Sequence, residues 1–164
     1  MKFAMKFQLT VFVAATVLSG VVLAGGEQPE WHGHGHGGGG VASFGKPGDP
    51  TKVSRTVNVN MTDDMRFTPA AITVKRGETI RFNVRNAGKV KHEMVLGTEG
   101  ELKEHYQMMM KVPEMEHAGP KAITLDGGKS GEIIWQFTKS GTVPFACLQP
   151  GHYGAGMKGT VVVR

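Results

Sequence analysis

The sequence has a single cysteine among its 164 residues, and this scarcity excludes several classes of protein. One thiol cannot form an intramolecular disulfide, and it cannot by itself build a zinc finger or an iron–sulfur cluster. Aromatic residues make up only 7% of the chain, charged residues 20%, and the formal net charge is +5. Proteins that bind nucleic acid carry denser basic and aromatic side chains, so nucleic acid is not an expected partner.

Methionine and histidine are plentiful by comparison, with Met 10 and His 7 in the sequence. Thioether, thiolate and imidazole groups bind soft and borderline metal ions, so the composition favours metal binding. A free thiol in an oxidising compartment is open to oxidation, and a metal bond would protect it. The lone Cys147 is therefore the first candidate metal ligand.

Residues 1–24 have the pattern of a secretory signal peptide. Lys2 and Lys6 precede an apolar run from Phe7 to Leu23, and Ala24 ends a small-residue cleavage site. No charged stop-transfer segment follows. We therefore expect export to the periplasm with cleavage after Ala24 and no membrane attachment of the mature chain. An uncleaved anchor helix is the alternative.

Residues 25–50 are rich in glycine and proline and are predicted to form a flexible tether. Such a composition buries too little apolar surface to offset the entropy lost on ordering. His32, His34 and His36 alternate with glycine in this segment, which favours either weak metal chelation or a solvated linker. The remaining residues, 51–164, are predicted to form one globular domain.

From Arg55 onward, apolar and polar residues alternate with a period of two, as in strands with one buried face. Turn sequences such as Asn86-Ala87-Gly88 and Ser140-Gly141-Thr142 separate these runs. Short strands with frequent turns predict an all-β sandwich of about seven or eight strands. The alternating apolar positions include Val57, Val59, Met61, Ile80, Phe82, Val84, Ile133, Trp135, Phe137, Val143 and Phe145.

Residues 99–121 interrupt the strand pattern and are predicted to be an insertion between two strands. Helix-forming residues dominate Glu101–Lys111, where Leu102, Tyr106 and Met109 share one face, so we expect a short helix whose Met109 packs on the sandwich. The insertion is also rich in thioether and imidazole groups. For these groups the sequence supports metal binding and a purely structural role equally. These candidate auxiliary ligands are His105, Met108, Met110, Met115 and His117.

The strongest motif in the chain is Cys147-x4-His152-x4-Met157. Cys147 has the same strand parity as Val143 and Phe145, so its sulfur is predicted to point inward at the end of a strand. A thiolate, an imidazole and a thioether together are a typical copper ligand set. A second imidazole is needed, and His92, where a loop enters a strand, is the best candidate.

These motifs resemble those of the cupredoxins, the superfamily of plastocyanin, azurin and pseudoazurin. The similarity covers about residues 55–98 and 122–164. The first block contains Phe67-x-Pro69-x-x-Ile72-x-Val74-x-x-Gly77-Glu78-x-Ile80-x-Phe82 and Asn86 ahead of His92. The second contains Gly141-x-x-x-Phe145-x-Cys147, Pro150-Gly151-His152 and Gly156-Met157-x-Gly159-x-Val161-x-Val163.

The resemblance implies a Greek-key β-sandwich and a mononuclear type 1-like copper centre that alternates between Cu(II) and Cu(I). By that resemblance His92, Cys147 and His152 are equatorial ligands and Met157 is the weak axial ligand. Glu93 departs from the family pattern, because small electron carriers often have Asn or Ser there. We expect this acid to change the hydrogen bonding around the sulfur, so the colour of the site is left open.

Two functions agree with these features. The sequence resembles periplasmic copper-tolerance cupredoxins, which combine a C-terminal cupredoxin site with His-rich and Met-rich segments; this predicts copper handling, with additional weakly bound copper and a periplasmic redox or copper-transport partner. The alternative is a soluble one-electron carrier between periplasmic redox enzymes. An enzyme is not expected, because Ala146 and Leu148 flank Cys147 with no adjacent histidine, and no nucleophile–base pair is evident.

Overall fold

The structure is a computed structural model, and it describes residues 42–113 and 119–164. The predicted signal peptide, the three tether histidines, Met115 and His117 lie outside these residues. Within the described part, ten strands and one α-helix follow each other in the order β1 to β6, α1, β7 to β10. The strands are β1 Gly45–Pro47, β2 Arg55–Thr62, β3 Arg66–Thr68, β4 Ala71–Val74, β5 Thr79–Asn86, β6 His92–Leu96, β7 Ala122–Leu125, β8 Ser130–Phe137, β9 Gly141–Ala146 and β10 Lys158–Val163, and α1 is Glu99–Lys111.

The strands form two five-stranded sheets, with the orders β1-β8-β5-β2-β3 and β4-β10-β9-β6-β7. Two pairs, β2 with β5 and β4 with β10, are parallel, and the other pairs are antiparallel. The predicted all-β sandwich is confirmed, with more strands than the sequence pattern indicated because the three-residue strands β1 and β3 are too short to show a period.

The core lies between the inner faces of the two sheets, as the period-two pattern predicts. Trp135, Phe82 and Phe145 are fully buried there, and Phe67 packs edge-on against Phe145 with ring centroids 5.0 Å apart. Burial of a large side chain of this kind contributes roughly 2 kcal/mol or more of stability. This core packs the two sheets against each other.

Residues 42–50 belong to the sandwich, although the sequence assigns them to the tether. Strand β1 pairs antiparallel with β8, and Pro47 lies opposite Trp135 at the sheet edge. Phe44 is buried and contacts the Trp135 ring at a centroid distance of 5.4 Å. Among the described residues, the sheet therefore includes Gly45–Pro47, which the sequence assigns to the tether, because this segment pairs with β8 and Phe44 packs on Trp135.

Helix α1 lies within the predicted insertion and covers the outer face of the second sheet. Its N-terminus has a capping box, in which Thr98 Oγ1 accepts from Glu101 N and the Glu101 carboxylate accepts from Thr98 N. Leu102 and Met109 are buried against Val95, Ala146 and Leu148. The predicted packing of Met109 on the sandwich is thus observed. Because the helix covers this face, every residue of β6 is buried, on both sides of the sheet.

Among the residues that the structure describes, no helix has the length and apolar character needed to cross a bilayer.

Candidate metal centre

His92 and Cys147 lie close together because their strands are neighbours in one sheet. His92 is the first residue of β6, and Cys147 follows the last residue of β9. The two strands run antiparallel with Val95 opposite Ala146, so the start of β6 and the end of β9 meet at the same end of the sheet. Both side chains are fully buried.

His152 completes a compact group with these two residues. Its Nδ1 lies 3.2 Å from His92 Nδ1 and 3.3 Å from Cys147 Sγ. The candidate ligand atoms of all three residues lie within 4.8 Å of one another. His152 is half-buried whereas His92 is buried, so the centre is nearest to solvent on the His152 side.

The loop from Cys147 to Met157 folds back on itself through backbone hydrogen bonds. Cys147 N donates to Met157 O at 3.1 Å, and Met157 N donates to His152 O at 3.1 Å. Positive φ values of 85° at Gly151 and 90° at Gly156 make these turns possible. Met157 is fully buried in the same core cluster as Cys147, and these backbone bonds hold it next to Cys147 and His152.

Burial raises the pKa of the Cys147 thiol to about 12, against the weaker effect of the backbone N–H groups of Glu93 and Gln149. The metal-free thiol is therefore protonated at neutral pH, and a metal ion must displace that proton when it binds. Since the thiolate is the reactive form, burial also protects the sulfur from oxidation in the metal-free protein. Burial, followed by repulsion from His92, lowers the pKa of His152, which favours the neutral imidazole that metals bind.

Glu93 contacts the sulfur through its backbone and the ligand loop through its side chain. Its N–H donates to Cys147 Sγ at 3.4 Å. Its carboxylate, on the opposite face of β6, accepts from Leu148 N at 2.8 Å and from Thr124 Oγ1 at 3.4 Å. Burial raises the pKa of Glu93, and the bond from Leu148 N opposes that shift. The carboxylate thus braces the loop and does not itself contact the sulfur.

Asp63, in the turn between β2 and β3, was not found from the sequence. Its Oδ1 lies 3.0 Å from His92 Nε2, the ring nitrogen that faces away from His152. The backbone N–H of Lys89 is the main cause of a lowered pKa of Asp63. Because Asp63 and His92 are 29 positions apart, no local spacing rule connects them.

The candidate auxiliary ligands on α1 are separate from this group. Met108 and Met110 are 39% and 56% exposed, and His105 is half-buried. Within residues 42–113 and 119–164, the His, Cys, Asp and Glu side chains close enough to share one metal ion are those of His92, Cys147 and His152. His105 is not among them.

A thiol sulfur and two imidazole nitrogens fit copper, which accepts both soft and borderline donors. The model of the family described as "Copper binding proteins, plastocyanin/azurin family" matches residues 53–164. The chain belongs to this family of copper-binding proteins, and copper is its cofactor. One thiol sulfur and two imidazole nitrogens in a cupredoxin fold agree with a type 1-like copper site.

Individual relatives and solved structures show which known proteins the chain resembles. Over 121 residues the chain is 58% identical to the "Copper-resistant cuproprotein CopI" of Rubrivivax gelatinosus, covering 74% of this chain and 73% of that protein. A protein of the same name from Pseudomonas aeruginosa is 35% identical over 151 residues, covering 74% and 83%. The crystal structure of reduced auracyanin from Roseiflexus castenholzii has a TM-score of 0.58 at 24% identity, covering 68% of this chain and 98% of that one. The resemblance to cupredoxins is confirmed.

Proposed function

We propose that this chain is a periplasmic copper-tolerance protein, exported by a signal peptide cleaved after Ala24 and attached to no membrane afterwards. The observation that supports this proposal most strongly is the 58% identity of the chain to a copper-resistant cuproprotein. The aligned span includes much of the domain that contains the His–Cys–His group. The proposal includes no enzymatic activity. N-terminal sequencing of the protein from a periplasmic extract tests the export step, and a start at residue 25 is expected.

In this proposal His92, Cys147, His152 and Met157 hold one copper ion. Copper bound by such a set supplies one-electron exchange between Cu(II) and Cu(I). The protein supplies a buried thiol, two imidazole rings and a loop closed by backbone hydrogen bonds. A visible spectrum of the copper-loaded protein should show an intense sulfur-to-copper charge-transfer band that Cys147→Ser removes. A wild-type protein without that band would refute ligation by Cys147.

The physiological role is tested by growth of the natural host in excess copper. Deletion of the gene should reduce tolerance, and the wild-type gene should restore it. Restoration by the Cys147→Ser gene would show that the centre is not required for tolerance, whereas failure with normal protein levels would support its role. Unchanged tolerance in the deletion strain would contradict the proposed function.

The exposed thioethers of Met108 and Met110 support an auxiliary role in Cu(I) capture. His105, Met115, His117 and the tether residues His32, His34 and His36 are proposed to contribute on the basis of their side-chain chemistry. The double variant Met108→Leu/Met110→Leu should bind less Cu(I) in a competition assay while keeping the charge-transfer band. Gln107→Leu is the matched control, because it adds the same side chain on the exposed helix surface without removing a thioether.

One observation favours a second role as a one-electron carrier. The half-buried His152 is the candidate ligand nearest to solvent. Val90, two positions before His92, is 45% exposed, so an apolar side chain near the centre is available to a redox partner. Electron exchange with a periplasmic redox protein, followed by stopped-flow spectroscopy, tests this role. A rate that Val90→Lys lowers severalfold without changing the visible spectrum would support it; an unchanged rate would contradict it.

A further inference from the structure

The Asp63 carboxylate forms a contact with the buried His92 that the family resemblance did not lead us to expect. Asp63 Oδ1 lies 3.0 Å from Nε2, while Nδ1 of the same ring faces His152. The Asp63 side chain is 39% exposed, whereas the His92 side chain is 0% exposed. The imidazole is therefore fixed at both nitrogens, with a carboxylate on one side and the candidate metal centre on the other.

The chemistry of this contact determines which nitrogen of His92 carries the proton. An ionised carboxylate has acceptor oxygens and no hydrogen to donate. Nε2 therefore donates to Asp63, and in the neutral ring this directs the Nδ1 lone pair toward Cys147 and His152. This is the tautomer required for a metal bond through Nδ1, and carboxylates elsewhere orient metal-binding histidines in the same way.

The loop between β5 and β6 holds the Asp63 carboxylate in place. Lys89 N donates to Oδ2 at 2.8 Å, and Val90 N donates to Oδ1 at 3.4 Å. Asn86 shapes this turn by accepting from Gly88 N at 2.9 Å and donating to Val90 O at 2.7 Å. A side chain at Gly88 would collide with the carboxylate, since a Cβ there would contact Asp63 Oδ1 and lie 2.5 Å from its Cγ.

We propose that Asp63 is a positioning residue of the copper centre, which fixes the tautomer of His92 and favours Cu(II) over Cu(I). This inference rests on the proposed role of His92 as a ligand. The negative charge reaches the centre through a single imidazole ring, and a negative charge stabilises the more highly charged copper ion more strongly. The carboxylate thereby lowers the reduction potential and tightens the binding of Cu(II).

The first test uses the metal-free protein, so it does not depend on copper loading. Long-range ¹H–¹⁵N NMR spectra of histidine rings distinguish protonation at Nε2 from protonation at Nδ1. The wild type should show His92 protonated at Nε2, and Asp63→Ala should show a mixture of tautomers. A wild-type ring protonated at Nδ1, or an unchanged Nε2–H tautomer in Asp63→Ala, would overturn the proposal.

The second test measures the copper-loaded variants. Asp63→Ala should weaken Cu(II) affinity about tenfold, which is the usual scale for a partner that orients a ligand. If Cu(I) affinity is unchanged, that tenfold loss raises the reduction potential by about 59 mV. Asp63→Asn retains an acceptor oxygen without the charge, so it should keep the tautomer and show a smaller rise in potential.

Asp64→Asn is the matched control, because it removes the same charge from the neighbouring position. Its carboxylate accepts from Thr62 Oγ1 and makes no described contact with His92. A rise in potential equal to that of Asp63→Asn would show a general charge effect and overturn the proposal. Gly88→Ala, which keeps Asp63 but displaces its carboxylate, should reproduce the Asp63→Ala result; wild-type values in a folded Gly88→Ala protein would also contradict it. A wild type without the sulfur-to-copper band would instead refute the proposed function, whatever the tautomer measurement gives.

Discussion

The rings of Tyr106 and Tyr153 pack against each other in a tilted arrangement, with centroids 5.0 Å apart and an interplanar angle of 32°. Tyr106 belongs to α1, and Tyr153 directly follows His152 in the ligand loop. Lys158 Nζ also lies 3.7 Å from the centroid of the Tyr153 ring, which is a cation–π geometry. The insertion is therefore joined to the loop that carries a candidate ligand by an aromatic contact.

A double-mutant cycle on Tyr106→Leu and Tyr153→Leu should show coupling between the two rings. We expect a coupling free energy of about 0.5–1.5 kcal/mol in urea unfolding, the usual range for an aromatic pair beyond its buried area. Additive effects of the two substitutions would mean that the rings contribute only separate packing.

Glu93→Ala should destabilise the metal-free protein by about 3 kcal/mol. The substitution leaves the buried Leu148 N–H without its acceptor, which costs roughly 1–3 kcal/mol, and adds a cavity beside the loop. Glu93→Gln retains an acceptor oxygen and should cost about 1 kcal/mol or less. Glu132→Ala is the control, since Glu132 is an exposed sheet glutamate; similar losses in Glu93→Ala and Glu132→Ala would argue against the bracing role.

The metal-free wild type should lose stability at high pH relative to Cys147→Ser. Burial raises the pKa of the folded thiol to about 12, while an unfolded cysteine ionises near its ordinary pKa of about 8.5. Between these values the unfolded chain binds fewer protons than the folded one, so stability falls as pH rises.

Urea unfolding at pH 8 and pH 10, with chelator and reductant present, measures this difference. The wild type should lose about 2 kcal/mol more than Cys147→Ser over that interval. Other titrating groups are common to both proteins and cancel in the comparison. Parallel losses would show that the buried thiol ionises as readily in the folded protein as in the unfolded one.

Gly159→Ala should destabilise the sandwich by about 1–3 kcal/mol through overpacking. A Cβ at Gly159 would collide with the Phe145 ring and lie 2.7 Å from Ala70 O. Gly100→Ala is the control, because a Cβ in that turn of α1 meets open space and alanine favours the helix. Thermal unfolding should therefore show a lower Tm for the first variant and an unchanged or higher Tm for the second; a Tm of Gly159→Ala at the wild-type value would contradict the steric argument.

The parts of the fold that follow a simple period were predictable from the sequence. Alternation in β2, β5 and β8 predicts the buried face of the first sheet, and the helical spacing of Leu102 and Met109 predicts the buried face of α1. Strand β1 could not be predicted, because Gly45-Lys46-Pro47 shows no alternation and Pro47 is tolerated only at a sheet edge.

The candidate site also has residues that were predictable from the sequence and one that was not. Cys147, His152 and Met157 lie on one short loop, so their spacing is visible in the sequence. Asp63 reaches His92 only because two distant turns meet at the end of the sandwich, and an aspartate in a polar turn has no local feature that marks it. Contacts of this kind depend on the tertiary fold and become apparent only with coordinates.

The pairing of β10 with both β4 and β9 has a consequence for the order of assembly during synthesis. All four candidate ligands precede β10 in the chain, and β10 pairs with β9 directly after the loop that holds three of them. A nascent chain that ends at Met157 would carry every donor atom and still lack the enclosure around them. Because β10 also pairs with β4, far earlier in the chain, we expect the sandwich beneath these ligands to be complete only after β10 has been translated.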